Sequence, residues 1–177
     1  MSLLSVVPTE DAQGKVAELY QIFQDTFGLI PNAFKAMSVS PEMLDLHWRN
    51  IRYYQNHPAF SAKLVTFIRL LISQQANCRY CINLNTAILM QEFGLSQDQI
   101  ATTMADPTTV PLDDRESALL QFVLKGTMEP LSVTQADINQ LHEHDYHDKD
   151  IFDALNLGAR QVSFDIVLNA FKVENDF

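Results

Sequence analysis

The nine positions from Leu64 to Ile72 are apolar except for Thr66 and Arg69. A helix built on them is greasy on nearly every side, so other elements have to surround it. No stretch elsewhere shows the apolar–polar alternation of a half-buried strand, which leaves helices as the surrounding layers. The run also falls well short of the roughly 20 apolar residues that a membrane span needs. The expectation is an all-α chain forming a single domain over residues 1–177, with no membrane contact.

Start and stop signals divide the rest. Thr9 is expected to cap a first helix with Glu10 and Asp11 in its opening turn and Val16, Leu19, Tyr20, Phe23 and Phe27 facing inward. Gly28 stops it, and Pro31-Asn32 restarts the chain. Ser40-Pro41 opens a helix carrying Leu44, Trp48 and Ile51 inward and ending before Pro58. The central helix runs from about Ser61 to Gln75, and Cys78 opens the next, which closes at Gly94.

Ser96 with Gln99 reads as a capping box, Asp113 with Glu116 as a similar pair, and Gly126 as the end of that helix. Thr134 opens a further helix reaching about His144. The last starts near Lys149 and is expected to bury Leu155, Ala159, Val162, Ile166 and Val173, with Phe152, Leu157, Phe164 and Phe171 off that stripe. The stretch around Pro107 and Pro111 is the one candidate internal boundary.

Twelve Lys and Arg stand against twenty-two Asp and Glu, for a net charge of -10. Nucleic acid is therefore not an expected partner, since phosphate neutralisation needs a basic surface. The first twenty residues carry Glu10, Asp11 and Glu18 and no basic n-region, so a secretory leader is not expected and the cytoplasm is. The charges are unevenly spread. Leu46 to Gln91 contains no acid, yet it holds Arg49, Arg52, Lys63, Arg69 and Arg79. Trp48, Tyr53 and Tyr54 beside Arg49 and Arg52 read as a core face flanked by solvated arginines rather than a ligand patch.

Both cysteines lie in that positive window, as Cys78-Arg79-Tyr80-Cys81. Sulfurs three positions apart in a first helical turn can close a disulfide with little backbone motion. Free N–H groups at a helix start, with Arg79 adjacent, favour the thiolate that attacks peroxides and disulfides. A zinc site needs two further ligands. The clustered candidates His142, His144 and His147 lack finger spacing and read as an exposed helix end, so no metal or cofactor is expected. A buried, inert pair of small hydrophobes is the bland alternative.

At this point the chain resembles the AhpD-like, carboxymuconolactone-decarboxylase superfamily, in its peroxidase-related branch. The likeness runs from Gly14-Lys15-Val16-Ala17-Glu18-Leu19-Tyr20 through Gly28-Leu29-Ile30-Pro31-Asn32-Ala33-Phe34 and Met37-Ser38 to Pro41-Glu42. It continues in Ser73-Gln74-Gln75-Ala76-Asn77-Cys78-Arg79-Tyr80-Cys81, in Asp114-Arg115-Glu116 with Leu119-Leu120, and in Pro130-Leu131-Ser132-Val133-Thr134 with Asp137. It implies an AhpD-like helical bundle, a homo-oligomer (trimer or hexamer), and hydroperoxide reduction or disulfide exchange. It also implies a dithiol reductant, lipoyl or thioredoxin-like.

In active members a glutamate twelve residues before the first cysteine and a histidine four after the second relay protons to the second cysteine. Carried over, Cys81 is peroxidatic and Cys78 resolving. Thr66 and Asn85 stand at the relay positions, and neither accepts a proton at neutral pH. General-base help is worth about 10²–10⁴ in rate. The expectation is therefore a weak thiol peroxidase, unless the positive window, His47 or His57 compensates. The alternative is a redox sensor or structural oligomer without turnover. Decarboxylation is not expected, because the cysteine segment offers neither acid nor base.

Overall fold

The computed structural model describes residues 2–176, so both ends of the expected 1–177 domain lie outside the described residues. These form nine α-helices: α1 (Gly14–Phe27), α2 (Asn32–Met37), α3 (Pro41–Gln55), α4 (Ala62–Gln75), α5 (Arg79–Phe93), α6 (Gln97–Ala105), α7 (Asp114–Met128), α8 (Gln135–Glu143) and α9 (Asp148–Ala170). No strand occurs among the described residues, so the fold is all-α. None of their helices is long and apolar enough to cross a membrane. The chain gathers into two compact units. One holds the chain up to Tyr53 and again from Val167 onward, and the other spans Tyr54–Ile166.

The first unit is built on aromatic packing. Phe23 lies 4.4 Å from Phe34 and 5.3 Å from Trp48, ring centre to ring centre. Trp48 is buried with Leu19, Tyr20 and Leu44 while Arg49 and Arg52 stay exposed, but Tyr53, expected on the same core face, is 44% exposed. Gly28 caps α1 with a positive φ of 74°, a conformation that costs glycine little. Thr9 does not start α1. Residues Thr9–Asp11 form an isolated 3-10 turn, and the helix begins five residues later. Phe27, read as inward, is exposed.

The second unit has α4 at its centre. Leu64, Val65, Phe67, Ile68, Leu70, Leu71 and Ile72 are all buried, with α5 and α7 against them. The local start signals work as the sequence suggests. Ser61 caps α4, and capping boxes close at Ser96–Gln99 and Thr134–Asp137. Asp113 caps α7, but Glu116 turns away to accept from the Ser61 amide and hydroxyl at 2.8 and 2.9 Å. The Pro107–Pro111 stretch holds a short 3-10 turn inside this unit.

Two glycines set how closely helices approach. Gly126 does not end α7, which continues to Met128; it is buried, and a Cβ there would sit 2.7 Å from Leu155 Cδ1. Gly158 on α9 is tighter. A Cβ would come within 2.7 Å of Val123, 2.9 Å of Thr127 and 3.0 Å of Ile72, atoms from two different helices. The gain in helix propensity, about 1 kcal/mol, does not offset that overlap for a larger side chain. Gly158→Val is expected to lower unfolding stability by about 1–3 kcal/mol. Urea unfolding followed by circular dichroism measures it, and an unchanged midpoint would contradict this packing.

Candidate functional site

The cysteines sit at the α4–α5 junction, which reverses the chain in three residues. Ala76 ends α4, Asn77 takes a left-handed φ of 50°, and Cys78 is the N-cap of α5. Asparagine tolerates that conformation better than most residues. The Cys78 amide donates to the Ser73 carbonyl at 2.9 Å, which locks the turn. Both cysteines are free thiols, with Cys78 0% and Cys81 2% exposed.

A third group completes the site, and it comes from α9. A carboxylate oxygen of Asp165 and both sulfurs lie within 4.8 Å of one another, and Asp165 is 0% exposed. Its Oδ1 accepts from Ser73 Oγ at 3.0 Å and from Gln161 Nε2 at 2.8 Å, and the Gln161 amide also donates to Ser73 Oγ at 3.1 Å. Ser73 and Gln161 are themselves buried. Oδ2 has no hydrogen-bond partner. The network thus saturates one oxygen and leaves the other without a donor.

Proton affinities follow from burial and contact. Burial pushes the Asp165 carboxyl above its ordinary range, opposed by contacts from Cys81, Gln161, Ser73 and Cys78. Within the pair, the two sulfurs lie within 4.8 Å of one another and each acts on the other's proton. That contact draws Cys78 down and raises Cys81, whose proton is held further by burial and by the charge of Asp165. Arg69, half-buried on α4, is lowered to about 10 by burial, against the opposing fields of Cys81 and Tyr54. Arg79, beside the pair in sequence, is exposed.

Of the sequence-derived candidates, Cys78 and Cys81 come together. Thr66 and Asn85 are buried but turned to backbone: Thr66 Oγ1 donates to the Ala62 carbonyl at 2.8 Å and Asn85 Nδ2 to the Cys81 carbonyl at 2.7 Å. His57 Nε2 lies 3.2 Å from Asp153 Oδ2, and its ring stacks on Phe60 at 3.8 Å. His47 packs edge-on against Phe34, inside the other unit. His142 pairs with Asp148 at 2.8 Å; it and His147 are exposed and His144 is half-buried, as a helix end and connector would leave them.

The sequence does not single out Asp165, because the inward face of α9 is offset from the expected stripe. Ile151, Ala154, Leu157, Gly158, Gln161 and Asp165 are buried, whereas Ile166 is 60% exposed and Ala159 is also exposed. The signal available was the Gln161–Asp165 pair one turn apart on the face that Ile151, Ala154 and Gly158 define.

No family model matches the chain, and no curated protein does. Solved structures do. An uncharacterized peroxidase-related protein from Silicibacter sp. TM1040 shares 23% identity at a TM-score of 0.83, over 98% of this chain and 91% of that one. An uncharacterized peroxidase-related protein with an alkylhydroperoxidase AhpD core, from Ralstonia eutropha JMP134, shares 20% at 0.86, over 99% and 92%. A protein of unknown function from Agrobacterium tumefaciens shares 17% at 0.64, over 80% and 95%. The chain therefore has the AhpD-like fold.

Proposed function

We propose that the protein is a thiol-dependent peroxidase of AhpD-like type in which Asp165 takes over the proton transfers that Thr66 and Asn85 cannot perform. One observation carries this reading: an oxygen of a buried carboxylate lies within 4.8 Å of both sulfurs of a reduced CxxC pair. Asp165 accepts the Cys78 proton, and the Cys78 thiolate attacks the distal oxygen of the hydroperoxide. The O–O bond breaks, the leaving alkoxide takes the proton back from Asp165, and Cys78 becomes a sulfenic acid. Cys81 then loses its proton to Asp165 as its sulfur attacks Cys78. Hydroxide departs with that proton as water, leaving the disulfide.

The N-cap position of Cys78 and the lowering of its thiol beside Cys81 support this order of attack, which reverses the one that the resemblance implies. Two nearly inaccessible sulfurs favour small hydroperoxides over protein disulfides as oxidants, and a slender lipoyl arm over a thioredoxin-like surface as reductant. A reducing compartment such as the cytoplasm keeps the pair ready. On α9, Phe152 and Ile166 are 69% and 60% exposed, about four turns apart on one face, which supports assembly with further copies.

Turnover tests the reading. Protein mixed with excess cumene hydroperoxide and dihydrolipoamide is expected to consume many equivalents of peroxide. Consumption that stops at one equivalent would indicate the sensor reading instead, and none at all would contradict both.

A further inference from the structure

Two thiols and a carboxylate gathered about one point can serve a proton relay, and they are also a ligand set for a thiophilic metal ion. Cys78, Cys81 and Asp165 are so gathered, each offering a donor atom within 4.8 Å of the other two. Tetrahedral zinc has bonds of about 2.3 Å to sulfur and about 2.0–2.2 Å to carboxylate oxygen. Donors around it lie roughly 3.5–3.8 Å apart on those bond lengths. Side-chain rotations of about an ångström close this set onto an ion. All three donors are buried, and the Asp165 Oδ2 has no hydrogen-bond partner, which is costly for a buried carboxylate unless a cation answers it.

We infer that the reduced Cys78–Cys81 pair and Asp165 form a redox-switched binding site for a thiophilic divalent cation of the zinc class. This deepens the proposed function and rests on it for the switch, because oxidation of the two ligating thiolates to the disulfide would release the ion. Two thiolates select zinc-like ions over magnesium or calcium. Three anionic donors around a divalent ion leave one net negative charge, and the Arg69 guanidinium, whose field reaches Cys81, offsets it. The fourth position falls to water or to the Ser73 hydroxyl.

Oxidation balances without the ion changing valence. The two thiolates lose two electrons and form the S–S bond; the hydroperoxide O–O bond takes those electrons and two solvent protons, giving alcohol and water. A disulfide is no longer a thiolate ligand, and a lone carboxylate does not retain the ion.

Cobalt(II) is the probe. Reduced full-length protein titrated with one equivalent is expected to develop a near-ultraviolet thiolate-to-cobalt charge-transfer band, which zinc abolishes by displacement. The same chain oxidised beforehand with diamide is expected to show none. Asp165→Asn, checked by circular dichroism, is expected to bind at least about tenfold more weakly. Absence of the band in the reduced protein, an equal response after diamide, or unchanged affinity in the Asn variant would each overturn the site.

Peroxide is tested separately on the metal-free sample by intact mass. If peroxide oxidises the pair but no cobalt band forms, the metal site falls and the peroxidase reading stands. If the band forms but peroxide leaves both thiols intact, the metal site stands and the peroxidase reading falls.

Discussion

Asp165→Asn is expected to slow reduction of a small hydroperoxide by about 10²–10⁴, the usual worth of a positioned proton-transfer group. The substitution keeps the shape and leaves an amide to bond Ser73 and Gln161, so the fold is not at stake. Electrostatics alone predicts the opposite sign. The charge of Asp165 raises both Cys78 and Cys81, so neutralising it makes thiolates easier to form. The variant is therefore expected to alkylate with iodoacetamide at least as fast as the parent while reacting far more slowly with peroxide. That split isolates proton transfer, since a residue that merely shaped the pocket would move both rates together. Parallel slowing of both would assign Asp165 a structural role.

Separating the two cysteines gives the second large effect. Cys78→Ser is expected to abolish peroxide chemistry, because the sulfur favoured as a thiolate is gone. Cys81→Ser is expected to keep the first step and stop there, with a sulfenic acid on Cys78 that dimedone traps and mass spectrometry locates. The role assignment implied by the resemblance predicts the mirror image, a trapped sulfenic acid on Cys81 in the Cys78→Ser protein. The N-cap position of Cys78 and the lowering of its thiol beside Cys81 argue for the first pattern. Since Cys81→Ser retains a donor hydroxyl at that position, loss of all reaction in both variants would mean that neither thiol acts alone as the entry point.

Helices and their starts were readable because the forces that set them are local. Ser61, Ser96 and Asp113 each satisfy an amide within three residues, Asp137 answers the amide and hydroxyl of Thr134, and the apolar block of α4 announces a surrounded helix by itself. Thr9 had the same chemistry but no helix to cap, because the periodic segment begins only at Gly14. Gly126 carried a stop signal that packing overrode: it lets Leu155 approach, so α7 runs through it.

The site was half legible for a related reason. Cys78 and Cys81 announce themselves through spacing within a single turn. Asp165 reaches them only through the packing of α9 onto α4, and its hydrogen bond to Ser73 joins residues 92 positions apart. The buried face of α9 mixes Ala154, Gly158, Gln161 and Asp165, so hydrophobic periodicity points instead to Leu155, Val162 and Ile166. A polar site on a buried helix face erases the signal by which such a face is recognised.

A single-turnover titration tests the central claim most directly. Fully reduced protein receives one equivalent of cumene hydroperoxide, is quenched at timed intervals with an alkylating reagent under denaturing conditions, and is weighed intact. Both alkylation sites are expected to vanish together within the parent protein's first turnover and to persist far longer in Asp165→Asn. Two thiols that still alkylate in the parent after prolonged exposure would contradict a peroxidase built on Cys78, Cys81 and Asp165.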